Sequence, residues 1–254
     1  MSANMRMWVE LGFDVAYLLV IWWLVAAMIV RRAQLAPSDA PVGQRLLLAF
    51  LLLALGDTGH VGFRVLGYAL GGFDPHAELS GAAATLIGMG ALATATTLTL
   101  FYMLMADSWR VRFEHAWGWG TLALLAAGIA RLAIMTLPQN AWESAVPPQP
   151  WSLYRNLPLI VQGLGVAALM LRDARAQGDR LFRWIGRLIL VSYACYLPVV
   201  FWVQRVPALG HADDPEDSGV CGDCGACVPR AIPPGVAHTA HALARGINAA
   251  GKRT

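Results

Sequence analysis

Three ionisable residues lie on one face of an apolar segment near position 60. In the stretch ALGDTGHVGFRVLG, Asp57, His60 and Arg64 follow each other at intervals of three and four residues, so a helix places them on one stripe. A carboxylate beside an imidazole is typical of a histidine that is oriented to act as a general acid or base. We therefore treat His60 and Asp57 as candidate catalytic residues.

The same stripe has a structural interpretation and a metal-binding one. In the structural interpretation Asp57 neutralises Arg64 or Arg131 as a buried ion pair, and His60 is an ordinary core residue. A metal needs several protein ligands, and the obvious additions to His60 and Asp57 are a histidine and a glutamate at positions 76 and 78 of the following loop. We expect no metal and no other cofactor.

A second group of polar residues follows in the next segments of the chain. Arg131 lies in the outer half of a predicted helix, the stretch TLPQNAWES comes after it, and WSLYRNLP opens the next helix, with Gln162 seven residues below Arg155. The arginines outnumber Asp57 and Glu143, so a shared pocket would favour a phosphate or a carboxylate. The candidate ligand-binding residues are Arg64, Arg131, Asn140, Trp142, Arg155 and Asn156.

The elements that carry these residues are predicted to be membrane-spanning helices. The chain of 254 residues is 57% hydrophobic and 14% charged, whereas a soluble domain has about 25% charged residues. Several apolar runs reach the ~20 residues that cross a bilayer, and lipid-exposed chain must be helical to satisfy its backbone. We predict an all-α polytopic transmembrane bundle with six spans, at about 12–30, 46–70, 81–105, 116–137, 154–171 and 184–204.

Arginines are concentrated in the loops after the first, third and fifth predicted spans. These loops carry Arg31, Arg32 and Arg45, then Arg110 and Arg112, then Arg172, Arg175, Arg180, Arg183 and Arg187. By the positive-inside bias these loops are cytoplasmic, which puts the N-terminus outside. The expected location is the inner (plasma) membrane, as a multi-pass protein whose partner is the lipid bilayer. This distribution follows loop topology and gives no reason to expect nucleic acid.

The third predicted span is rich in small residues, which indicates a central position in the bundle. Ala84 precedes Gly88 by four residues, and Gly90 precedes Thr94 by four. Small side chains at this spacing let neighbouring membrane helices approach closely.

The last part of the chain changes character abruptly. Residues 1–209 form the predicted helical domain, whereas 210–254 read as a Pro-, Gly- and Ala-rich, disordered tail. Cys221, Cys224 and Cys227 resemble a thiolate cluster, although their spacing fits no defined zinc module. Alternatively, the residues from about 211 onward are the product of a frameshift. Possible codons for the tail residues would encode an apolar segment if they were read one nucleotide further along. A seventh helix would then have been lost.

Three motifs, GDTGHVGFR, LPQNAW and YRNLP, resemble a small group of uncharacterised bacterial multi-pass proteins with seven helices. The resemblance covers roughly residues 55–205. It implies a helical membrane fold and supports the importance of these positions, and it brings no established activity.

The sequence leaves three functions open. The chain binds or transports an anionic or amphipathic small molecule or lipid head group in an outward-facing polar site; it is a hydrolase or isomerase acting on a lipid or isoprenoid with His60 and Asp57; or it is a structural or sensory membrane protein whose charges only pair. Against coupled transport, no inverted repeat is visible. We therefore expect binding first, and the oligomeric state stays open.

Overall fold

Six long α-helices account for most of the chain that the structure describes. The structure is a computed structural model and describes residues 3–71, 81–144 and 148–202. The helices are α1 (Ala3–Arg31), α2 (Ala40–Leu70), α3 (Ala82–Arg112), α4 (Trp119–Met135), α5 (Trp151–Ala176) and α6 (Arg180–Trp202), and Arg32–Gln34 and Pro138–Asn140 are short 3-10 turns. The described residues contain no strand, so the all-α prediction is confirmed there.

Proline and glycine residues mark the beginnings and ends of some of these helices. Pro41 lies in the first turn of α2, where its missing N–H costs no hydrogen bond, and Gly71 follows the last turn. Gly178 has a φ of 71° in the short connection between α5 and α6. That left-handed conformation is free of strain for glycine, and it lets the chain reverse within three residues.

Four of the described helices are long and apolar enough to cross a membrane. The segments are Leu11–Gln34, Ala40–Leu70, Ala82–Arg112 and Trp151–Ala176, whereas α4 is apolar but has only 17 residues. Large apolar side chains point outward from several helices, among them Leu19, Ile129 and Val161, which are 67%, 60% and 59% exposed. Contiguous apolar surface of this kind is expected of a protein surrounded by lipid.

Helix α3 lies at the centre of the described bundle and contacts α2, α4 and α5. Its contact with α2 is close because glycines meet small side chains: Gly56 of α2 faces Thr97, Gly59 faces Ala93, and Gly90 of α3 lies against the backbone of His60. Gly90, one of the small residues singled out in the third apolar run, therefore lets α2 and α3 approach closely.

One end of the bundle is tied together by Arg112 at the end of α3. Its Nη1 donates to Asp39 before α2, and its Nε donates to Asp179 before α6, each over 2.7 Å. Asp107 adds a second link by accepting hydrogen bonds from Arg45 of α2 and Arg110 of α3. The arginine-rich connections therefore lie at the same end of the molecule.

Each of the six predicted spans corresponds to a helix, although α1 and α3 extend past the apolar runs and α4 is shorter than its predicted span at both ends. Helix α1 begins at Ala3 rather than near residue 12, and α3 continues to Arg112 rather than ending near 105. Backbone hydrogen bonds propagate through polar turns that a hydropathy window excludes. The loop around positions 76 and 78 and the tail 210–254 lie outside the described residues.

Candidate functional site

Asp57 is held by two hydroxyl groups from neighbouring helices. Tyr17 of α1 donates to Oδ2 over 2.9 Å, and Thr94 of α3 donates to Oδ1 over 2.8 Å. The carboxylate therefore joins α1, α2 and α3 at one point. We call Asp14, Tyr17, Asp57, His60, Arg64 and Thr94 the Asp57 cluster.

His60 and Arg64 form the other half of the Asp57 cluster. The Nη2 atom of Arg64 lies 3.0 Å from Nε2 of His60, and Nη1 donates to Asp14 of α1 over 3.3 Å. Because a guanidinium can only donate, Nε2 of His60 accepts, and the ring proton is on Nδ1. That Nδ1 atom is buried and faces the backbone of Gly90 in α3.

These contacts differ from the acid–base pair and from the ion pair that the sequence suggested. Asp57 and His60 share a helix face, but each forms its hydrogen bonds with other residues. The predicted pairing of Asp57 with Arg64 or Arg131 is not formed in the described contacts, because Arg64 reaches across to Asp14 of α1. The spacing along α2 placed these side chains on one stripe but did not reveal the partners that α1 offers.

Arg131 is the most deeply buried charged residue among those described, with 2% of its surface exposed. Its Nε donates to the backbone carbonyl of Arg155 over 3.0 Å, and Nη1 donates to the carbonyl of Ala95 and to Oγ1 of Thr99 over 2.8 and 2.6 Å. Its Nη2 lies 3.5 Å from Oδ1 of Asn156. One guanidinium thus connects α3, α4 and α5.

Arg155 lies beside Arg131 and is also buried, at 7% exposure. Its guanidinium stacks over the Trp142 ring at 4.3 Å from the centroid, and Nη1 is 3.5 Å from Oδ1 of Asn140. Tyr102 of α3 and Tyr193 and Tyr196 of α6 lie within electrostatic range of Arg131. We call Thr99, Arg131, Asn140, Trp142, Arg155, Asn156 and Gln162 the Arg131 cluster.

The connection between α4 and α5 folds back onto the end of α4 to supply the amide and the indole. Asn140 is 1% exposed and donates from Nδ2 to the carbonyls of Ile134 and Leu137. Trp142 donates from Nε1 to the carbonyl of Met135. Ala141 between them has a φ of 46°, a left-handed conformation that turns the chain sharply. The motif PQNAW therefore caps α4 and places both side chains against Arg155.

No carboxylate contacts either Arg131 or Arg155 within the described residues; their partners are carbonyl, hydroxyl and amide oxygens and one aromatic ring. Two adjacent buried cations without an acidic partner leave the local charge positive. Guanidinium groups in such a setting bind carboxylate or phosphate oxygens through charge-assisted hydrogen bonds. The arrangement can therefore hold an anion.

The two clusters lie on opposite sides of α3 and do not form the single pocket expected from the sequence. A Cβ added at Gly88 would meet the backbone of Trp142, whereas one added at Gly90 would meet the backbone of His60. Two residues turn a helix by about 200°, so these contacts point in nearly opposite directions. Five of the six predicted ligand-binding residues come together, and Arg64 belongs to the other cluster.

A third polar group, at the arginine-rich end, was missed by the sequence reasoning. Asp173 of α5 is 9% exposed and accepts hydrogen bonds from Arg172 and, over 2.9 Å, from Nε1 of Trp109. Its carboxylate also lies 2.8 Å from Nε2 of His115. His115 stacks on Trp109 and lines an open cavity of about 200 Å³. Its partners Trp109 and His115 are distant in sequence, so residue spacing gives no signal for this group.

Comparisons with known proteins add no relative to this description: no protein-family model matches the chain, and neither a curated protein sequence nor a solved structure is similar to it.

Proposed function

We propose that the chain is an integral membrane protein that binds the anionic group of a small amphipathic molecule or lipid head group at the Arg131 cluster. The observation that carries the proposal is the pair of buried arginines, Arg131 and Arg155, neither of which contacts a carboxylate of residues 3–71, 81–144 or 148–202. Asn140 and Trp142 hold the second arginine in place. The remaining predicted contact, Asn156, lies at the edge of the same group.

The energetics of burial support an anion as the missing partner. Removing a guanidinium from water costs several kcal/mol, and two like charges side by side add repulsion. Neutral oxygens offset part of this cost, whereas a phosphate or carboxylate between the two cations would offset both contributions. Intramembrane charges that face a bundle interior commonly mark ligand or ion sites.

The proposed topology has six spans with the N-terminus on the outer side of the bacterial inner membrane. The clustering of Arg45, Arg110 and Arg112 at one end of the bundle supports a cytoplasmic location for that end. The Arg131 cluster includes the connection between α4 and α5, at the other end. We therefore propose that the anion approaches from the outer leaflet or the external solution.

Labelling with a membrane-impermeant thiol reagent tests this orientation. In a variant without native cysteines, Glu114→Cys reports the connection before α4, and Gln139→Cys reports the connection after it; both positions are exposed. Labelling of intact cells at position 139 and not at 114 is expected. The reverse pattern would invert the proposed topology, and labelling of both positions in intact cells would remove α4 as a span.

Binding measurements on the purified protein in detergent test the function. The probes are inorganic phosphate, octanoate and phosphatidic acid. Comparison of their affinities shows whether the site prefers a free anion or a lipid head group. Arg131→Met and Arg155→Met should each weaken the best probe at least about tenfold, since a charge-assisted hydrogen bond is lost. The control is Arg175→Met, which removes an exposed charge at the other end of α5. Absence of binding by all three probes, or equal losses in the control, would reject the proposal.

The enzyme alternative rests on His60 and Asp57, and their contacts favour it less. Asp57 is engaged by Tyr17 and Thr94, and His60 accepts from Arg64, so neither is oriented by the other. A His60→Ala variant that folds but fails to turn over a lipid substrate would favour catalysis over binding.

A further inference from the structure

Gln162 of α5 is completely buried, and neither atom of its amide group makes a hydrogen bond. Its exposed fraction is 0%, and both Nε2 and Oε1 lack a partner within the described part of the chain. A buried amide group without partners costs about 1–3 kcal/mol for each atom left unpaired. An apolar residue at position 162 would avoid this cost, as the apolar residues around it do. An unpaired glutamine therefore points to a function.

The position of Gln162 connects it to the two arginines. It lies seven residues after Arg155, so both side chains leave the same face of α5, about 10 Å apart along the helix axis. On the facing helix, a Cβ added at Gly128 would approach Nε2 of Gln162 to 2.6 Å. Gly128 precedes Arg131 by three residues on α4. The amide therefore lies one helical turn deeper in the bundle than Arg131, in the space that Gly128 leaves open.

The donors and the acceptor of the Gln162 amide define which ligand group could form hydrogen bonds with it. Nε2 carries two donors and Oε1 is an acceptor, so a single hydroxyl group can satisfy one atom of each kind by donating and accepting. The apolar residues around this depth, Leu159 and Val166, are 1% and 0% exposed, so the amide group has apolar surroundings. A molecule that spans from the arginines to the glutamine needs an anionic group, an apolar linker and a hydroxyl.

We propose that Gln162 is the inner end of the ligand site and that the ligand is an amphipathic anion bearing a hydroxyl group roughly 10 Å from its charge. This inference rests on the proposed anion site and adds to it the second recognition element. The arginines hold the charged end, and Gln162 selects for the hydroxylated end.

Two matched probes test the selection. Octanoate and 8-hydroxyoctanoate have the same charge and chain length, and differ in one hydroxyl about 10 Å from the carboxylate. The wild-type protein should bind the hydroxylated probe about fivefold more tightly, as one hydrogen bond between neutral groups provides. Gln162→Met, of similar size, should abolish this preference, because the variant has neither the amide donor nor the amide acceptor. Gln162→Asn serves if the methionine variant is misfolded, and Gln177→Met, at an exposed position after α5, is the control.

The outcomes separate this inference from the proposed function. Equal affinity of the wild-type protein for both probes, or a preference that survives in Gln162→Met, overturns the role of Gln162 while arginine-dependent octanoate binding still stands. Octanoate binding that is unchanged in Arg131→Met and Arg155→Met overturns the anion site itself. A preference that disappears in the Gln162 variants and persists in the Gln177 variant supports the proposal.

Discussion

The Nε atom of Arg131 donates a hydrogen bond to the backbone carbonyl of Arg155, 3.0 Å away, so one buried cation fixes the chain that carries the other. Because the acceptor is a carbonyl and not a carboxylate, the contact positions both guanidinium groups without neutralising either. The positive charge of the two guanidinium groups is therefore held in place by the fold itself, and it should persist when no ligand is present.

Thr99→Val should destabilise the protein by about 1–2 kcal/mol, because it removes a hydroxyl that accepts from a buried guanidinium. Arg131 donates to Thr99 over 2.6 Å, and the substituted side chain has nearly the same shape. Thermal or chemical unfolding in detergent measures the change. Thr96→Val is the matched control on the same helix, since that hydroxyl bonds the Leu92 carbonyl within α3. Equal losses in the two variants would show that the Arg131 contact contributes nothing.

Gly88→Ala should lower stability by about 1–3 kcal/mol and also weaken anion binding, because the added methyl group overlaps the backbone of Trp142. The connection that carries Trp142 and Asn140 cannot keep its position against Arg155 under this substitution. The control is Gly62→Ala in α2, where a Cβ meets no atom within 4 Å and alanine favours the helix. The interpretation fails if both variants bind and unfold alike.

Asp173→Asn should cost about 1–3 kcal/mol of stability, since a buried carboxylate that serves Trp109, His115 and Arg172 loses its charge. Arg172→Gln should cost less than about 1 kcal/mol, because that side chain is 62% exposed and surface ion pairs contribute little. Urea or detergent unfolding of both variants compares them. A larger loss in the arginine variant would contradict the central role of Asp173.

Asp57→Asn and Thr99→Val should have additive effects on the free energy of unfolding, within about 0.5 kcal/mol. The two side chains belong to clusters on opposite sides of α3 and share no hydrogen-bond partner. A double-mutant cycle provides the measurement. A coupling energy above about 1 kcal/mol would mean that the two clusters form one network.

The helical fold could be predicted from the sequence because lipid leaves few backbone solutions for an uncharged run of 20 residues. Hydropathy did not give the ends of α1 and α3, since helical hydrogen bonds continue through the polar turns beyond the lipid-facing part. The arginine-rich loops at one end were also predictable, and Arg112 joins two of the connections there directly.

The site was predictable only in part, because spacing fixes a face of one helix and not the helix it meets. Arg131, Asn140, Trp142 and Arg155 were identified from their polarity and their shared depth. Tyr17 and Thr94 were missed, since neutral hydroxyls are common in such helices and become informative only once Asp57 is seen between them. Likewise, the division into two clusters follows from the close packing of α3 and has no signal in residue spacing.

Gly88 and Gly90 leave α3 bare on two nearly opposite sides, with Trp142 pressed against one and His60 against the other. With no side chains there, the backbone of α3 meets both neighbours directly, so a residue larger than glycine at either position would push the neighbouring segment away from the helix.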